Sequence, residues 1–594
     1  INQMRKAENN CKIVSDRKFK TEGGNIMKKG ALILLLCLSM VLSVAAGCGA
    51  GKDSDSTGAS GKNKSAKSDK EKSKILSEMS KPGEFPITKE KLSFDVVIPD
   101  VTYIGDLNKN TFGKWYEKKT NVHINYTEIP DNAIAEKVNI LLGSNELPDM
   151  FVSTAQDVPL YGSRGVFLAL NDLIDQYGVE TKKVFEENEE LPDSIKAVDG
   201  NIYALPNINA CFHCMHNMKA WINQKWLDAV GLSYPNTTEE FEEVLKAFKE
   251  KDPNGNGKQD EIPMMGAQNA QQQIFPFLLN SFTYFVDDAY YFLNDEKQIE
   301  FVANSEEVRE GLKWIKSLID QGLIDPTSLT QTQEQLKQVG TDPNAVLIGV
   351  APAFLWWKAF GMDQETPDQR SRDYVGLSPL KGPKGVRYAP LTGSAVIPDT
   401  LVITNACQFP EIAFRWADGL YSNEVTLRSQ VGEEGVNWEK PEEGSKGING
   451  KPAMYIQKQL TDDEMMKANS RMDNIMLANR TSDFRLAEKA DYSDPETQWQ
   501  VEPRLYNTTA DYYVPYAADE KLVPVLAFTE EEDRDRALYQ TQINDHVKES
   551  IVMFLTGNKD LDQDWDTYVR ELENLNLKEY LNILQTAYDR QYNE

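Results

Sequence analysis

The chain has 594 residues, of which 40% are hydrophobic and 10% aromatic, so it can bury a large core and is not disordered throughout. Its length exceeds that of a typical single domain and predicts at least two. The formal net charge of −28 argues against the basic surface of a nucleic-acid-binding protein, and six cysteines are too few for a disulfide-built scaffold of this size.

The first 90 residues differ from the rest, with 17 basic and 10 acidic side chains against 47 and 82 in the remainder. Lys28 and Lys29 precede an apolar run over residues 31–46. This layout is typical of a secretory signal peptide, and the run is shorter than the roughly 20 residues of a membrane span. Cys48, directly after Ala45-Ala46-Gly47, resembles the cysteine of a bacterial lipobox, although Ala45 replaces the usual Leu. The resemblance implies lipidation of Cys48; the alternative is an uncleaved membrane anchor.

We expect translation to begin at Met27, so that residues 1–26 are an over-extension and residues 27–47 are the signal peptide. Residues 48–87 then form the lipid anchor and a flexible tether, because they are rich in Gly, Ser, Lys and Asp and poor in large apolar residues. The expected location is the cell surface, with the lipid holding the chain on the outer face of a bacterial cytoplasmic membrane.

From residue 92 onward, apolar runs typical of strands alternate with helical periodicity. Strands are predicted over 92–98, 123–127, 149–153, 201–206 and 345–350, and helices over 110–119, 133–142, 236–251 and much of the region after 528. Thr237 or Thr238 can cap the helix over 236–251, and Glu240 or Glu242 can complete a capping box with it. The alternation predicts βαβ units and a mostly parallel sheet.

Several segments in a fixed order resemble one family. They are Gly-Asn-Ile-Tyr-Ala-Leu-Pro at 200–206, Trp-Ile-Asn-Gln-Lys-Trp-Leu-Asp-Ala-Val-Gly at 221–231, the helix over 410–422, Gly-Glu-Glu-Gly-Val-Asn-Trp at 432–438 and Trp-Asp-Thr-Tyr at 565–568. Together they resemble the extracellular solute-binding lipoproteins of carbohydrate ABC importers, in the large branch related to alginate-oligosaccharide binders. The resemblance extends from residue 92 to the end of the chain.

The resemblance implies an α/β fold of two lobes, like the periplasmic binding proteins, with a ligand cleft between the lobes and a helical C-terminal extension. One lobe would comprise residues 88–208 with 386–430, and the other residues 209–385 with 431–594. The implied function is capture of a sugar, expected to be an oligosaccharide, by lobe closure, and its delivery to ABC transporter permease subunits. The chain is expected to be a monomer that contacts the membrane only through its lipid.

A loop rich in oxygen ligands follows the helix over 236–251. Asp252, Asn254, Asn256 and Asp260 occupy positions one, three, five and nine of a calcium loop, with Gly at position six and the carbonyl of Lys258 at position seven. Position twelve is Pro263 instead of the bidentate Glu of an EF-hand. The resemblance to the alginate binders implies that Asp260 and Glu261 close the loop earlier. We therefore predict a structural Ca²⁺ site; the alternative is an ordinary Asn-Gly turn.

The segment Cys211-Phe-His213-Cys214-Met-His216 gathers four soft ligands. In a strand, however, Cys211 and His213 would face away from Cys214 and His216, and a second distant ligand pair is missing. Unligated side chains along a crossover are therefore expected, with a zinc site and a Cys211–Cys214 disulfide as alternatives. Because the segment corresponds to the family's cleft-lining stretch, the resemblance implies that His213 or Asn209 contacts the ligand.

Aromatic rings and amides are the side chains that recognise sugars, through stacking on apolar faces and hydrogen bonds to hydroxyls. Trp356 and Trp357 lie where the family places a stacking tryptophan, and one of them is expected to face the cleft. The remaining predicted ligand contacts are Gln272, Tyr291 and, after the strand over 149–153, Thr154, Gln156 and Asp157. Trp226 and Trp416 are assigned to the core.

Motifs of catalysis are missing from the sequence: it has no Gly-x-Ser-x-Gly elbow, phosphate-binding glycine loop or His-Glu-x-x-His. The acidic pairs Glu433–Glu434 and Asp287–Asp288 fit a solvated face of an acidic protein better than an acid–base pair. We therefore predict a binding protein and not an enzyme. The two alternatives are a ligand-binding sensor lipoprotein that signals to a membrane kinase and a secreted glycosidase.

Overall fold

The computed structural model describes residues 68–592, except for residues 102–103, 155, 189, 270, 393 and 459. The expected over-extension, the signal peptide, Cys48 and the tether up to residue 67 lie outside the described residues. The described residues belong to one compact unit, which contains two main β-sheets, each with a hydrophobic core of its own. We name the six-stranded sheet with its packed helices the first lobe and the four-stranded sheet with its helices the second lobe.

The strands are β1 Leu92–Asp100, β2 Val122–Pro130, β3 Met150–Val152, β4 Ala204–Asn209, β5 Ala220–Asn223, β6 Ile262–Met264, β7 Tyr291–Leu293, β8 Ile299–Phe301, β9 Ile348–Pro352, β10 Tyr374–Leu377, β11 Val396–Ile403, β12 Trp438–Glu439, β13 Ile456–Gln457 and β14 Asn479–Arg480. The α-helices are Asp69–Ser77, Thr111–Thr120, Ile134–Ser144, Val158–Ser163, Asn171–Tyr177, Glu180–Glu187, Leu191–Ser194, Gln224–Val230, Thr238–Glu250, Ile274–Leu279, Glu306–Asp320, Gln333–Gly340, Trp357–Phe360, Pro410–Asp418, Asn423–Thr426, Asp462–Ala468, Ser482–Arg485, Val501–Tyr512, Glu530–Thr556, Trp565–Asn574 and Leu577–Tyr592. None of the helices in the described part of the chain is long and apolar enough to cross a lipid bilayer.

Residues 69–87 are folded, which corrects the expectation of a flexible tether up to residue 87. They begin with the helix Asp69–Ser77, whose Ile75 is buried in the first-lobe core. The guanidinium group of Arg415 donates hydrogen bonds to the carbonyl oxygens of Ser80, Lys81 and Glu84 at 2.6, 2.6 and 3.0 Å. The buried Ile75 and the buried guanidinium group of Arg415 therefore fix this segment, although its composition predicted a flexible, solvated tether.

The first-lobe sheet has the strand order β14-β4-β11-β3-β1-β2. β1 runs parallel to β2 and β3, as the βαβ pattern predicts, whereas β11 runs antiparallel to β3 and β4. The sheet is therefore mixed and not mostly parallel. β11 has the opposite direction because the chain returns from the second lobe and reaches the sheet at the edge where the parallel strands end.

The second-lobe sheet has the order β10-β5-β9-β6, with only β6 and β9 parallel. Beside it, Thr237 and Glu240 form the predicted capping box of the helix Thr238–Glu250. The apolar face of this helix is buried, and Phe248 meets Trp226 edge to face with ring centroids 5.2 Å apart. The C-terminal helices from Glu530 onward pack on the same core.

After residue 431 the chain returns once more to the first lobe. The predicted lobe boundaries place residues 431–594 in the second lobe and stay a prediction. However, β14 pairs with β4, so Asn479 and Arg480 form the outer strand of the first-lobe sheet. Met472, Ile475, Met476 and Leu477 are also buried in the first-lobe core. The sequence offers no signal for this return, because a two-residue strand has no periodicity to detect.

Candidate functional site

Three cavities of the described structure lie along the cleft: two are lined by both lobes, and the third is lined by the second lobe and the crossovers. The largest, about 740 Å³, is lined from the first lobe by Asn188, Glu190, Leu191 and Ser194, and from the crossover by residues 391–392 and 394–396. Its second-lobe wall includes Tyr284, Tyr291 and residues 521–525. A volume of this size falls within the range of small-molecule sites. The wall therefore combines aromatic rings, backbone segments and polar side chains from both lobes.

The second cavity, about 560 Å³, lies between residues 157–163 and Asp399 of the first lobe and residues 526–536 of the second. An ion pair joins the lobes at its edge, with Arg164 Nη2 at 2.6 Å from Glu530 Oε1. The third cavity, about 270 Å³, is lined by Gln271, Gln273, Asp287 and Asp288 among others. It shares Val286 and Thr392 with the largest cavity, so the two are neighbours in one cleft.

Carboxylates in the cleft have raised pKa values. Burial, followed by the charge of Asp157, raises the pKa of Asp399 to about 6. Burial, followed by the charge of Asp288, raises the pKa of Asp287 to about 6 as well. The carboxylate of Asp157 accepts a hydrogen bond from the Leu160 amide at 3.0 Å, which caps the helix Val158–Ser163. These carboxylates are acceptors that a hydroxyl-bearing ligand can reach.

Lys219 lies fully buried at the wall of the smallest cavity, at the start of β5. Its ammonium group donates to the carbonyl oxygens of His213, at 2.6 Å, and His216. The rings of Phe354 and Tyr513 lie 5.2 and 5.4 Å from the nitrogen. Because burial disfavours the charged form, the pKa of Lys219 lies well below its usual range. Lys219 therefore holds the crossover to the second lobe.

The crossover after β4 contains a disulfide between Cys211 and Cys214, whose Cα atoms are 5.2 Å apart. The expectation of unligated cysteines is therefore wrong, and the alternative of a disulfide is the observed one. The physical reason is the backbone: Phe212–Met215 is a 3₁₀ helix and not a strand. Residues three apart eclipse each other in a 3₁₀ helix, which brings the two sulfur atoms to one side.

His213 and Asn209 belong to a polar cluster at this crossover. His213 Nε2 lies 3.5 Å from Glu502 Oε2, and Arg485 Nη1 donates to Asn209 Oδ1 at 3.0 Å. Burial alone would raise the pKa of Glu502, but the hydrogen bond from His213 and the charge of Arg485 outweigh it and lower the pKa to about 2. Asn209 and His213 are thus engaged with protein groups and do not line the three cavities.

The structure brings two of the nine predicted contact residues into the cleft cavities, Asp157 and Tyr291. Trp356 is buried, with the Arg504 guanidinium 4.1 Å from its ring centroid, and Trp357 packs edge-on against it at 4.8 Å. Gln272 and Thr154 are buried too, and Thr154 donates a hydrogen bond to Gln156. Trp226 and Trp416 lie in the cores, as predicted.

Asp399 and the segment 521–525 are cleft residues that the sequence analysis missed. Asp399 lies where the pairing of β11 with β4 shifts register, between Ile397 and Leu401. A signal was present, because Pro398 inside an apolar run is typical of a bulge. Lys521 ends a short 3₁₀ helix, residues 522–525 have no regular secondary structure, and neither gives such a signal.

The predicted calcium loop folds around the carboxylate of Asp252. Its two oxygens accept hydrogen bonds from the amides of Asn256 and Gly257 at 3.1 and 2.9 Å. The side chains of Asn254 and Asn256 contact Asp260. Both carboxylate oxygens of Glu261 are buried without a hydrogen-bond partner, and burial, followed by the charges of Asp252 and Asp260, raises its pKa. Unpartnered carboxylate oxygens beside two further carboxylates fit a divalent cation.

Residues 100–426 match the family described as bacterial extracellular solute-binding proteins. The chain is a bacterial extracellular solute-binding protein. This family membership agrees with the predicted class, a binding protein and not an enzyme, and with the predicted two-lobe α/β fold. The described helices and mixed sheets form the body of the solute-binding protein, with the cleft between its lobes.

Similar proteins extend the likeness over most of the chain. The solute-binding protein is 28% identical to the fructooligosaccharide ABC transporter substrate-binding protein FusA of Streptococcus pneumoniae, over 82% of this chain and 88% of the relative. The structure of a FusA EF-hand mutant with fructo-nystose has a TM-score of 0.69 at 25% identity and covers 84% of this chain and 100% of that one. The chain also resembles the structure of an HMO-binding ABC-transporter-associated solute-binding protein of Bifidobacterium longum infantis, with a TM-score of 0.70. The match covers 84% of this chain and 99% of that one, and at 21% identity it shows the fold alone.

Proposed function

We propose that this protein captures an oligosaccharide between its two lobes and delivers it to the permease subunits of an ABC transporter. The observation that carries the proposal is the cavity of about 740 Å³, whose walls come from both lobes. A ligand bound there contacts both lobes at once, so it favours the closed form over the open one by its differential contacts. The relative FusA is the substrate-binding protein of a fructooligosaccharide ABC transporter, which supports the ligand class and the transporter partner.

Tyr291 and Asp157 are the predicted contacts that we retain for the sugar. The ring of Tyr291 lies at the wall of the largest cavity and offers an apolar surface for a sugar face. Asp157 lies at the wall of the cavity of about 560 Å³, where its carboxylate can accept hydrogen bonds from hydroxyls. The two residues come from opposite lobes and line separate cavities, so each offers a contact from its own lobe.

We also propose that the loop from Asp252 to Glu261 holds a structural Ca²⁺. Asp252, Asp260 and Glu261 supply three carboxylates, and Asn254, Asn256 and the carbonyl of Lys258 supply neutral oxygens. The buried, unpartnered oxygens of Glu261 support this assignment. So does the naming of a FusA variant as an EF-hand mutant. The ion would fix the connection between the helix Thr238–Glu250 and β6, remote from the cleft.

We further propose that the mature protein is a monomer, anchored by a lipid on Cys48 at the outer face of the cytoplasmic membrane. Labelling of cells with a radioactive fatty acid tests the anchor. Label on the wild-type protein and none on a Cys48→Ser variant is the expected result, and equal label on both would contradict it.

The ligand is tested by a thermal-shift screen over an oligosaccharide panel, followed by isothermal titration calorimetry of each hit. Ser394→Trp places a large ring at an exposed position of the largest cavity. It should weaken binding at least about tenfold, or 1.4 kcal/mol. Ser144→Trp is the matched control, since Ser144 is also exposed and ends a helix outside the cleft. Unchanged affinity in Ser394→Trp, or the absence of any oligosaccharide hit, would refute the proposal.

A further inference from the structure

The cleft has more carboxylates than cations. Across the three cavities, eight acidic residues stand against Lys219, Lys521 and Arg536. Part of this acidity is neutralised by ion pairs at the cavity walls, since Arg164 binds Glu530 at 2.6 Å, Arg536 binds Asp533 at 2.6 Å and Lys548 binds Asp288 at 2.5 Å. The electrostatic potential of the cleft therefore depends on the carboxylates that form no ion pair.

Five of the eight carboxylates remain outside these pairs: Asp157, Glu190, Asp199, Asp287 and Asp399. Asp199 accepts a hydrogen bond from the Tyr203 hydroxyl at 2.6 Å, whereas Asp157, Asp287 and Asp399 lie beside other carboxylates. Asp157, Asp287 and Asp399 form no ion pair with another described residue. The charge of Asp157 acts on Asp399, and the charge of Asp288 acts on Asp287 more strongly than the opposing charge of Lys548. Asp157 is also exposed to the charges of Asp533 and Glu530, each of which acts on it more strongly than the opposing charge of Arg164. The buried Lys219 does not compensate, because carbonyl oxygens of the crossover hold its ammonium group. The cleft thus presents a negative potential to a ligand.

The backbone holds two of the acidic residues in place. Asp288 and Asp399 have φ values of 66° and 56°, in the left-handed region that non-glycine residues rarely adopt. Such strain persists only where the surrounding structure enforces it, and it is concentrated at ligand sites. Asp399 owes its conformation to the register shift in β11, which turns its side chain out of the sheet pattern toward the cavity of about 560 Å³.

We infer that the ligand is a neutral oligosaccharide and that Asp157, Asp287 and Asp399 exclude sugars that carry carboxylates. This inference rests on the proposed function and narrows it to one chemical class. A neutral sugar donates its hydroxyl hydrogens to the cleft carboxylates in charge-assisted hydrogen bonds. A uronate would instead place its own carboxylate against unpaired carboxylates, and like charges across an interface are strongly unfavourable.

The test compares each neutral oligosaccharide hit with the same compound after oxidation of its primary hydroxyls to carboxylates. Calorimetry at low ionic strength should find the oxidised form bound at least about tenfold more weakly, a difference of 1.4 kcal/mol. Oligogalacturonates and oligoalginates complete the panel. An acidic glycan that binds as tightly as the best neutral one would overturn this inference alone, whereas a panel in which nothing binds would overturn the proposed function and this inference with it.

The double variant Asp157→Asn, Asp399→Asn removes two of the charges while keeping the fold. Asn retains the helix cap at position 157 and tolerates the left-handed backbone at position 399. The preference for the neutral glycan over its oxidised form should shrink at least about fivefold in this variant. The control Asp172→Asn, Asp175→Asn removes two charges from the exposed side of a first-lobe helix outside the cavities. An unchanged preference in the cleft variant, or an equal change in the control, would contradict the inference.

Discussion

Removal of Ca²⁺ should destabilise the second lobe through Glu261. Without the ion, the carboxylate of Glu261 is buried, has no hydrogen-bond partner and lies beside Asp252 and Asp260. A carboxyl whose pKa is raised in the folded state contributes stability below its ordinary pKa and loses it as the pH rises through the raised value. Calcium requires the ionised form, so the stabilisation by Ca²⁺ should grow over the same pH range.

The size of the effect follows from mass action. At a Ca²⁺ concentration one hundred times the dissociation constant, binding to the folded state alone stabilises by about 2.7 kcal/mol. For a cooperative unit of the size of one lobe, this corresponds to a rise in melting temperature of roughly 5–10 °C. At about pH 4.5, where a larger fraction of Glu261 is protonated, the rise should be clearly smaller than at about pH 7.5.

The assay is differential scanning calorimetry in excess EGTA and in excess Ca²⁺ at both pH values. The variant Glu261→Gln removes the uncompensated charge, so in EGTA at neutral pH it should be at least as stable as the wild type while losing most of the shift by Ca²⁺. Glu243→Gln, on the exposed face of the preceding helix, is the matched control and should keep the full shift. A wild type that EGTA does not affect, or a Glu261→Gln variant with the full shift, would refute the assignment.

Three further predictions concern the fold. Phe248→Ala should lower the free energy of unfolding by about 3–5 kcal/mol in urea titrations, because the ring is fully buried against Trp226, and a loss under 1 kcal/mol would contradict the packing. Alkylation of the denatured, unreduced protein should modify Cys407 but neither Cys211 nor Cys214, and modification of all three would exclude the disulfide. Burial, followed by the charge of Glu502, raises the pKa of Glu488 to about 8. The wild type should therefore lose about 1.4 kcal/mol per pH unit as the pH rises from roughly 4.5 to about 8, and this group should cause no further loss at higher pH. Glu488→Gln should remove most of that loss, and equal pH dependence of the two proteins would refute the shift.

Local chemistry made parts of the fold predictable. The helix after Thr237 combines a capping box with an apolar face, and the structure confirms both its cap and its buried residues. The strand over 92–98 is equally clear, because β1 is buried on both faces of the first-lobe sheet. By contrast, β4 begins three residues later than the predicted strand over 201–206, since its limits depend on pairing with β11. Sequence patterns do not contain pairing information of that kind.

The ligand cleft was harder to predict than the fold. One of Trp356 and Trp357 was expected to face the cleft, and Trp356 is buried between Arg504 and neighbouring tryptophans. A tryptophan near the end of a buried strand has the same local sequence whether it faces the cleft or the core. The residues that do line the cavities include Asp399, placed by a register shift, and 521–525, placed by tertiary packing. The Cys211–Cys214 disulfide was predicted only as an alternative for a related reason, because a single 3₁₀ turn is too short for periodicity to reveal.

The outer strand β14 has a consequence for how the protein can be divided. Asn479 and Arg480 pair with Ile208 and Asn209 of β4. The side chains of Met472, Met476 and Leu477 fill the first-lobe core. The residues from 472 to 480 that make these contacts follow the family-matching segment 100–426 in the chain. A fragment that ends near residue 430 would leave β4 as an open edge and expose the apolar surface beneath these side chains, which favours aggregation. Neither lobe is therefore an independent module in the gene, and the two lobes have to be expressed, and to evolve, as one piece.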